Sequence, residues 1–323
     1  MKIKNSLIKV LYFVDYFFSI FILFSLPAIK LFAFIGGKRL PKTRELLKSF
    51  DIYPIRNHYY QPLFKDKLLK KDLSLERKLP LIDLKINKQL KLLEEFKYSE
   101  ELTNLNLNKL KKKNKFYFGN GSFEAGDAEI LYQFIRYFKP KNFIEIGSGN
   151  STLMAMEALN QNFKKDSIPS KHICIEPYEM KWLDQINTNI KVKRELVENI
   201  DLSFFECLSE NDILFIDSSH IIRPQGDVLK EYLEIIPSLK PGVIVHVHDI
   251  FTPRDYLDSF IREHVLMWNE QYILEALLSN SYRYEILCSL NYLHNNHYSN
   301  LKKCSPYLSK NMTPGSFYFR VKR

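Results

Sequence analysis

Three patterns of apolar and polar positions follow one another along this chain. In residues 10–29 nearly every position is aliphatic or aromatic, interrupted by Asp15, and the apolar character resumes in residues 31–35 beyond Pro27 and Lys30. About twenty such residues suffice for a helix to cross a bilayer, and apolar side chains on every face are not the stripe of a core helix. Pro27 is expected to break this helix. Residues 45–115 scatter leucines among lysines, and Leu90, Leu92, Leu93 and Phe96 there keep a helical spacing. From about residue 116, helical stripes alternate with short apolar runs. Ile130, Leu131, Phe134, Ile135 and Phe138 predict a helix with Asp127 as N-cap, ended by Lys139-Pro140. Strands are predicted near 143–146, 173–176, 212–217 and 242–249, and a helix from Gly226-Asp227 through Ile236. Trp268 and residues 272–277 form a further helical stretch, and strand patterns at 282–290 and 316–321 follow. Alternating strands and helices predict an α/β domain built on a doubly wound, mostly parallel sheet.

The most informative segment is Phe143-Ile144-Glu145-Ile146-Gly147-Ser148-Gly149-Asn150-Ser151-Thr152. A buried strand ends in an acid, turns on two glycines and enters a helix. Glycines allow a tight turn and close approach of a ligand, and the helix start presents free N–H groups. Ile173-Cys174-Ile175-Glu176-Pro177 is a second strand ending in an acid, which suits the hydroxyls of a ribose. Asp212-Ile213-Leu214-Phe215-Ile216-Asp217 and Val245-His246-Val247-His248-Asp249 also place polar residues at strand carboxyl ends, where open α/β sheets bind ligands.

On these motifs, residues 116–323 resemble class I S-adenosylmethionine-dependent methyltransferases, in particular a subgroup found with bacterial surface-polysaccharide enzymes. The resemblance implies a Rossmann-like doubly wound sheet with a late antiparallel strand. It also implies S-adenosylmethionine as cofactor, held by Glu145, Gly147, Ser148, Gly149, Ser151, Thr152, Glu176 and Asp217. Asn150-Ser151-Thr152 stands where a dinucleotide fingerprint has its third glycine, which argues against NAD or FAD.

Charge separates the chain into parts. Residues 1–115 hold 25 Lys/Arg against 11 Asp/Glu, and the remainder holds 22 against 26. The basicity therefore adjoins the apolar helix, where it suits anionic lipid, and nucleic acid is not expected as a partner. Lys2 and Lys4 resemble the basic start of a signal peptide, but no small-x-small cleavage pattern follows. Lys30, Lys38, Arg39, Lys42 and Arg44 place the following domain on the cytoplasmic side of the inner membrane; a monotopic anchor is the alternative to a full span. The expected organisation is a membrane anchor at 1–40, a basic, partly helical linker or lid at 41–115, and a methyltransferase domain at 116–323. Tyr53 to Pro62 forms an aromatic, proline-bounded loop suited to a linker or to carbohydrate contact, and residues 109–115 read as a solvated charge run. Four cysteines without CxxC spacing fit a reducing compartment.

Methyl transfer to a hydroxyl needs in-line alignment and removal of a proton. His248 and His220 are the candidate bases, with Asp249 beside them; His246, deeper on the same strand face as His248, is expected to be structural. Asp217 and Asp249 form an alternative Mg²⁺ pair, set behind the metal-free base because His248 replaces the third oxygen ligand that metal-dependent relatives supply. The acceptor expected from the resemblance and the anchor is a glycan or glycolipid. A lipid or small phenol is the second expectation, and a non-catalytic membrane-bound scaffold the third.

Overall fold

The computed structural model describes residues 2–105, 107, 114–178, 180–185 and 190–322. The chain divides into two compact units, Met1–Lys71 and Asp72–Arg323. Most of the 109–115 charge run lies outside the described residues.

The first unit is dominated by helix α1 (Lys2–Ile35), followed by α2 (Pro41–Ser49). Contrary to the sequence expectation, α1 runs through Pro27 without ending. Proline lacks the N–H that would pair with the Leu23 carbonyl, and the helix continues on both sides of that missing bond. Ser19 and Ser25 return their hydroxyls to the carbonyls of Asp15 and Phe21, both at 2.9 Å. The segment Val10–Ile35 has a mean hydropathy of 2.2 and is long and apolar enough to cross a membrane. Its 26 residues correspond to about 39 Å of helix, against roughly 30 Å of hydrocarbon.

The second unit is a seven-stranded sheet of order β3-β2-β1-β4-β5-β7-β6. Strands β1 (Asn142–Ile146), β2 (Lys171–Ile175), β3 (Ile190–Lys193), β4 (Ile213–Ile216) and β5 (Ile244–Val247) are parallel. Strand β7 (Phe317–Val321) enters antiparallel between β5 and β6 (Tyr284–Ser289), as the late-strand expectation had it. On one face pack α3 (Ile86–Glu95), α4 (Ser99–Asn104), α5 (Asp127–Phe138), α6 (Asn150–Asp166), α11 (Leu290–Asn296) and α12 (Tyr298–Cys304), through Leu93, Leu102, Phe134, Ala155, Leu293 and Leu301. The short α7 (Lys181–Asp184) follows β2. The opposite face is covered by α8 (Asp227–Lys230), a π-helical turn (Glu231–Ile235), α9 (Ile236–Ser238) and α10 (Glu270–Leu278), through Val228, Ile235 and Leu274.

The boundary at Lys71/Asp72 differs from the expected one at 115/116. Leu93, Phe96 and Leu102 are buried in the same cluster as the sheet residues Phe143 and Phe215, so the stretch from Asp72 to α4 is part of the sheet's own core. Arg136 on α5 fastens it: the nearly buried guanidinium meets Glu101 of α4 at 2.8 Å and Asp166 of α6 at 3.0 Å, and lies 4.6 Å from the Tyr98 ring. Asp127 is not the N-cap. Gly126 occupies that position and Glu129 accepts its N–H, while the Asp127 carboxylate accepts the backbone N–H groups of Gly315 and Ser316 ahead of β7.

Strand register sets up the site. Cys174, Glu145, Phe215, His246 and Tyr318 form one row across five strands on the α5–α6 face. Two residues further on, with the same side-chain direction, come Glu176, Gly147, Asp217 and His248 at the carboxyl edge.

Candidate active site

The turn after β1 is determined by one glycine. Gly147 has φ of 82°, and a Cβ there would stand 1.9 Å from the carbonyl oxygen of Asp217. The second glycine makes no such approach to the protein: Gly149 is extended, and a Cβ there meets nothing within 4 Å. Its N–H is accepted by Thr152 Oγ1 at 3.1 Å, and that hydroxyl donates to Glu145 at 2.6 Å. Glu145 is fully buried and also receives the Cys174 thiol at 3.3 Å, with His172 Nε2 3.3 Å away. The first acid of the motif therefore holds the turn from inside the sheet layer. Ser151 and Thr152 are buried in the first turn of α6.

Glu176, at the end of β2, accepts the N–H of Ser148 at 3.2 Å and of Tyr178 at 3.0 Å. It lines a crevice of about 280 Å³ together with Gly147, Tyr178, Leu196, Asp217 and Arg223. A larger cavity of about 390 Å³, beside Lys85, Tyr282 and Lys322, lies at the amino end of β6, away from the strand-end acids. The crevice gathers Gly147, Glu176 and Asp217 of the expected cofactor residues at a topological switch point, between β1 and β4.

Past Asp217 the edge becomes a cluster of acids and imidazoles. His220 donates Nδ1–H to Glu270 at 2.7 Å and turns Nε2 toward Asp217 at 3.3 Å and Asp249 at 3.8 Å. His248 presents Nδ1 to Asp217 at 3.5 Å and Asp249 at 3.7 Å, and Nε2 to Asp127 at 3.8 Å. Both His220 and Asp249 have left-handed backbones, with φ of 60° and 56°. Aspartate and histidine enter that conformation more readily than most non-glycine residues, and here both belong to the loops that carry the cluster. Trp268 packs 4.2 Å from the His220 ring, and Tyr232 donates to Glu270 at 2.9 Å.

The electrostatics follow from this crowding. Burial disfavours the charged imidazole of His220, but Asp217 and Glu270 outweigh it and raise the pKa well above the ordinary value. His248 is likewise raised against its burial by Asp249, Asp217 and Asp127. Burial opposes ionisation of Asp217, yet the two histidines hold its carboxyl well below the usual range; its side chain keeps 34% exposure toward the crevice. Asp249 is raised by burial and by Asp217. His246 is fully buried, with neither ring nitrogen hydrogen-bonded, and stacks on Tyr318 at 4.0 Å; burial and the nearby His248 lower its pKa. Its place is in the core, as its position on the strand predicts.

Asp217, His248 and Asp249 each offer a ligand atom within 4.8 Å of the others, a donor set that fits a divalent cation. Sequence reading did not find Glu270, Trp268 or the second role of Asp127. Glu270 lies fifty residues from His220 and opens a helix like any first-turn acid, so no local signal marks it.

Residues 144–250, from β1 to just beyond Asp249, match the family model described as "Methyltransferase domain". An uncharacterized protein of Archaeoglobus fulgidus is 40% identical over 101 residues, which is 30% of this chain and 44% of that protein. The match thus spans less than half the length of this curated relative. Among solved structures, an O-methyltransferase from Bacillus cereus in complex with SAH is similar to this chain at 14% identity. That likeness covers 72% of this chain and 91% of that one, with a TM-score of 0.38. The matched residues 144–250 include Gly147, Glu176 and Asp217 of the crevice and Asp217, His220, His248 and Asp249 of the acid–imidazole cluster, whereas Asp127 and Glu270 lie outside them.

Proposed function

We propose that this chain is an S-adenosylmethionine-dependent methyltransferase that methylates an oxygen of a glycan or glycolipid at the cytoplasmic face of a membrane. One observation carries the reading: within the matched domain, the crevice lined by Gly147 and Glu176 shares Asp217 with a cluster of proton-accepting groups. Glu176 would accept the ribose hydroxyls of S-adenosylmethionine, the Gly147 turn and the α6 start would face its amino-acid end, and Asp217 would face its methyl group. When bound, S-adenosylmethionine would supply the methyl carbon from its sulfonium sulfur to the acceptor oxygen. The sulfur keeps the electron pair of the broken bond, and the acceptor's proton leaves to a base.

His248 is the proposed base, with Asp249 beside it and His220, fixed by Glu270, completing the charge around Asp217. Because the carboxylates favour the protonated imidazole, turnover rises with pH above the ordinary histidine range as His248 is freed of its proton. A second reading is favoured by the compact donor set: Asp217, His248 and Asp249 would hold Mg²⁺ or a similar cation. Such a cation would lower the pKa of an acceptor hydroxyl.

The apolar Val10–Ile35 segment and the adjoining basic residues support membrane attachment, and with it a lipid-linked acceptor. The test is calorimetry with S-adenosylmethionine, followed by transfer of radiolabelled methyl to lipid-linked glycans, free lipids and phenols. Absence of cofactor binding would refute the enzyme and favour a scaffold. Labelling of phenols or simple lipids alone would refute the glycan acceptor.

A further inference from the structure

Arg77 lies outside the matched residues 144–250, in a stretch rich in lysines and leucines. Its backbone N–H donates to the carbonyl of Pro253 at 2.9 Å. Its guanidinium donates to the carbonyl of Arg254 at 2.9 Å and grips both carboxylate oxygens of Glu275 on α10. Nε stands 3.3 Å from Asp255, and the Tyr272 ring lies 5.3 Å from the guanidinium centre. Glu275 in turn receives the Thr252 hydroxyl at 2.8 Å. The contact is reciprocated: Arg254 donates to the Ser74 carbonyl at 2.7 Å and to Glu76 at 2.9 Å, and Asp255 N–H reaches the Leu73 carbonyl at 3.3 Å.

What these bonds hold is the loop leaving β5. It starts at Asp249, in its left-handed conformation, and passes through Ile250 N–H on the Gly315 carbonyl (2.7 Å) and Phe251 N–H on Gln271 (2.6 Å). Next come the two carbonyls that Arg77 engages. A loop whose polar groups are tied at successive residues has little freedom to move the acid at its start. An arginine suits this task, because its planar fork can bond a carboxylate and a carbonyl at once, which a lysine ammonium cannot do in the same geometry.

We infer that Arg77 is a positioning residue for the proposed methyl transfer, clamping residues 250–255 so that His248 and Asp249 stay aligned with Asp217. The inference rests on the functional reading above and adds to it a residue from outside the methyltransferase domain.

The test compares wild type with Arg77→Ala and Arg77→Lys in the full chain. Arg77→Lys is the safeguard against misfolding, because it leaves a cation facing the largely buried Glu275. Both variants are expected to keep the cofactor affinity and KM for S-adenosylmethionine while kcat falls roughly 10–100-fold, the effect of misplacing reacting groups by about an ångström. Amide hydrogen exchange should accelerate within residues 250–256 and stay unchanged in β1 and α6. A parallel fall of cofactor affinity, kcat and thermal stability would mark a merely structural residue and overturn the inference, as would unchanged kcat in both variants. Exchange is read without turnover, so the two proposals can fail separately. A wild type that methylates nothing sinks the functional reading, whereas unchanged exchange at 250–256 sinks the clamp.

Discussion

The two ends of the candidate site are built in opposite ways. At the β1–β2 end, the turn, the first acid and the helix start are neighbours in sequence, and Glu176 follows on the next strand. At the β4–β5 end, four carboxylates surround two imidazoles, drawn from Asp127 on α5, Asp217 after β4, Asp249 after β5 and Glu270 on α10. The first end is built mostly from one β-turn-α segment, with Glu176 and the Asp217 backbone supplied by the two neighbouring strands. The second is an assembly of two short local pairs, Asp217 with His220 and His248 with Asp249, which meet each other and the distant Asp127 and Glu270 only when the sheet closes. In the proposed function, binding would draw mainly on local structure and chemistry mainly on long-range packing.

The sharpest way to break this comparison is at Gly147. A side chain there collides with the Asp217 backbone, so Gly147→Val is expected to abolish cofactor binding and destabilise the fold by roughly 1–3 kcal/mol or more. Gly149→Ala, facing open space, should leave stability nearly unchanged. Calorimetric titration and thermal melts read both, and equal losses in the two variants would show that the turn does not depend on the Gly147 approach.

Next in size is the chemical end. His248→Ala is expected to lower turnover by ~10²–10⁴-fold with an unaltered cofactor isotherm, the separation that distinct regions require. Addition of EDTA to the wild type divides the two readings of this cluster: indifference supports the imidazole base, and loss of turnover restored by Mg²⁺ supports the cation. If His248→Ala also lost cofactor affinity, the two ends would be one cooperative site.

Glu176→Ala should act at the binding end alone, weakening S-adenosylmethionine by roughly 1.5–3 kcal/mol through lost charge-assisted hydrogen bonds. Its kcat at saturating cofactor should stay near wild type, and a large fall in kcat would contradict the division.

The smallest effect is expected at Glu101, a scaffold acid remote from both ends. Burial opposes its ionisation, but Arg136, Lys165 and Tyr132 hold its pKa down to about 2. Between about 2 and the ordinary glutamate value the unfolded chain binds more protons than the folded one, so this contribution to stability is full above that window and lost as pH falls through it. Glu101→Gln should therefore flatten the acid limb of the melting temperature against pH and leave neutral-pH cofactor binding unchanged. An unchanged acid limb would remove Glu101 from the acid response.

Much of the molecule was legible in the sequence, because its signals are local. Apolar runs of strand length, stripes at helical spacing and the Glu145-Ile146-Gly147 turn each report on a few adjacent residues, and they located six of the seven strands. Strand β3 (Ile190–Lys193) escaped because its lysines alternate with Ile190 and Val192 at the sheet edge, a short and half-polar pattern. The apolar run Val10–Ile35 within α1 was equally plain, since its character depends on composition alone.

Tertiary structure decided the rest, and in each case a contact between distant residues was the reason. Asp127 has the form of a helix cap, yet its carboxylate is taken by Gly315 and Ser316, nearly two hundred residues away. Gly147 and Gly149 are the same residue type in the same motif, and only the approach of the Asp217 carbonyl makes one of them indispensable to the turn. Arg77 is one cation among many in a basic stretch until the β5 loop meets it. A sequence specifies which elements form, because their energetics are short-ranged. Which side chains share a site depends on the sheet order and on what packs against it, and those are properties of the closed fold.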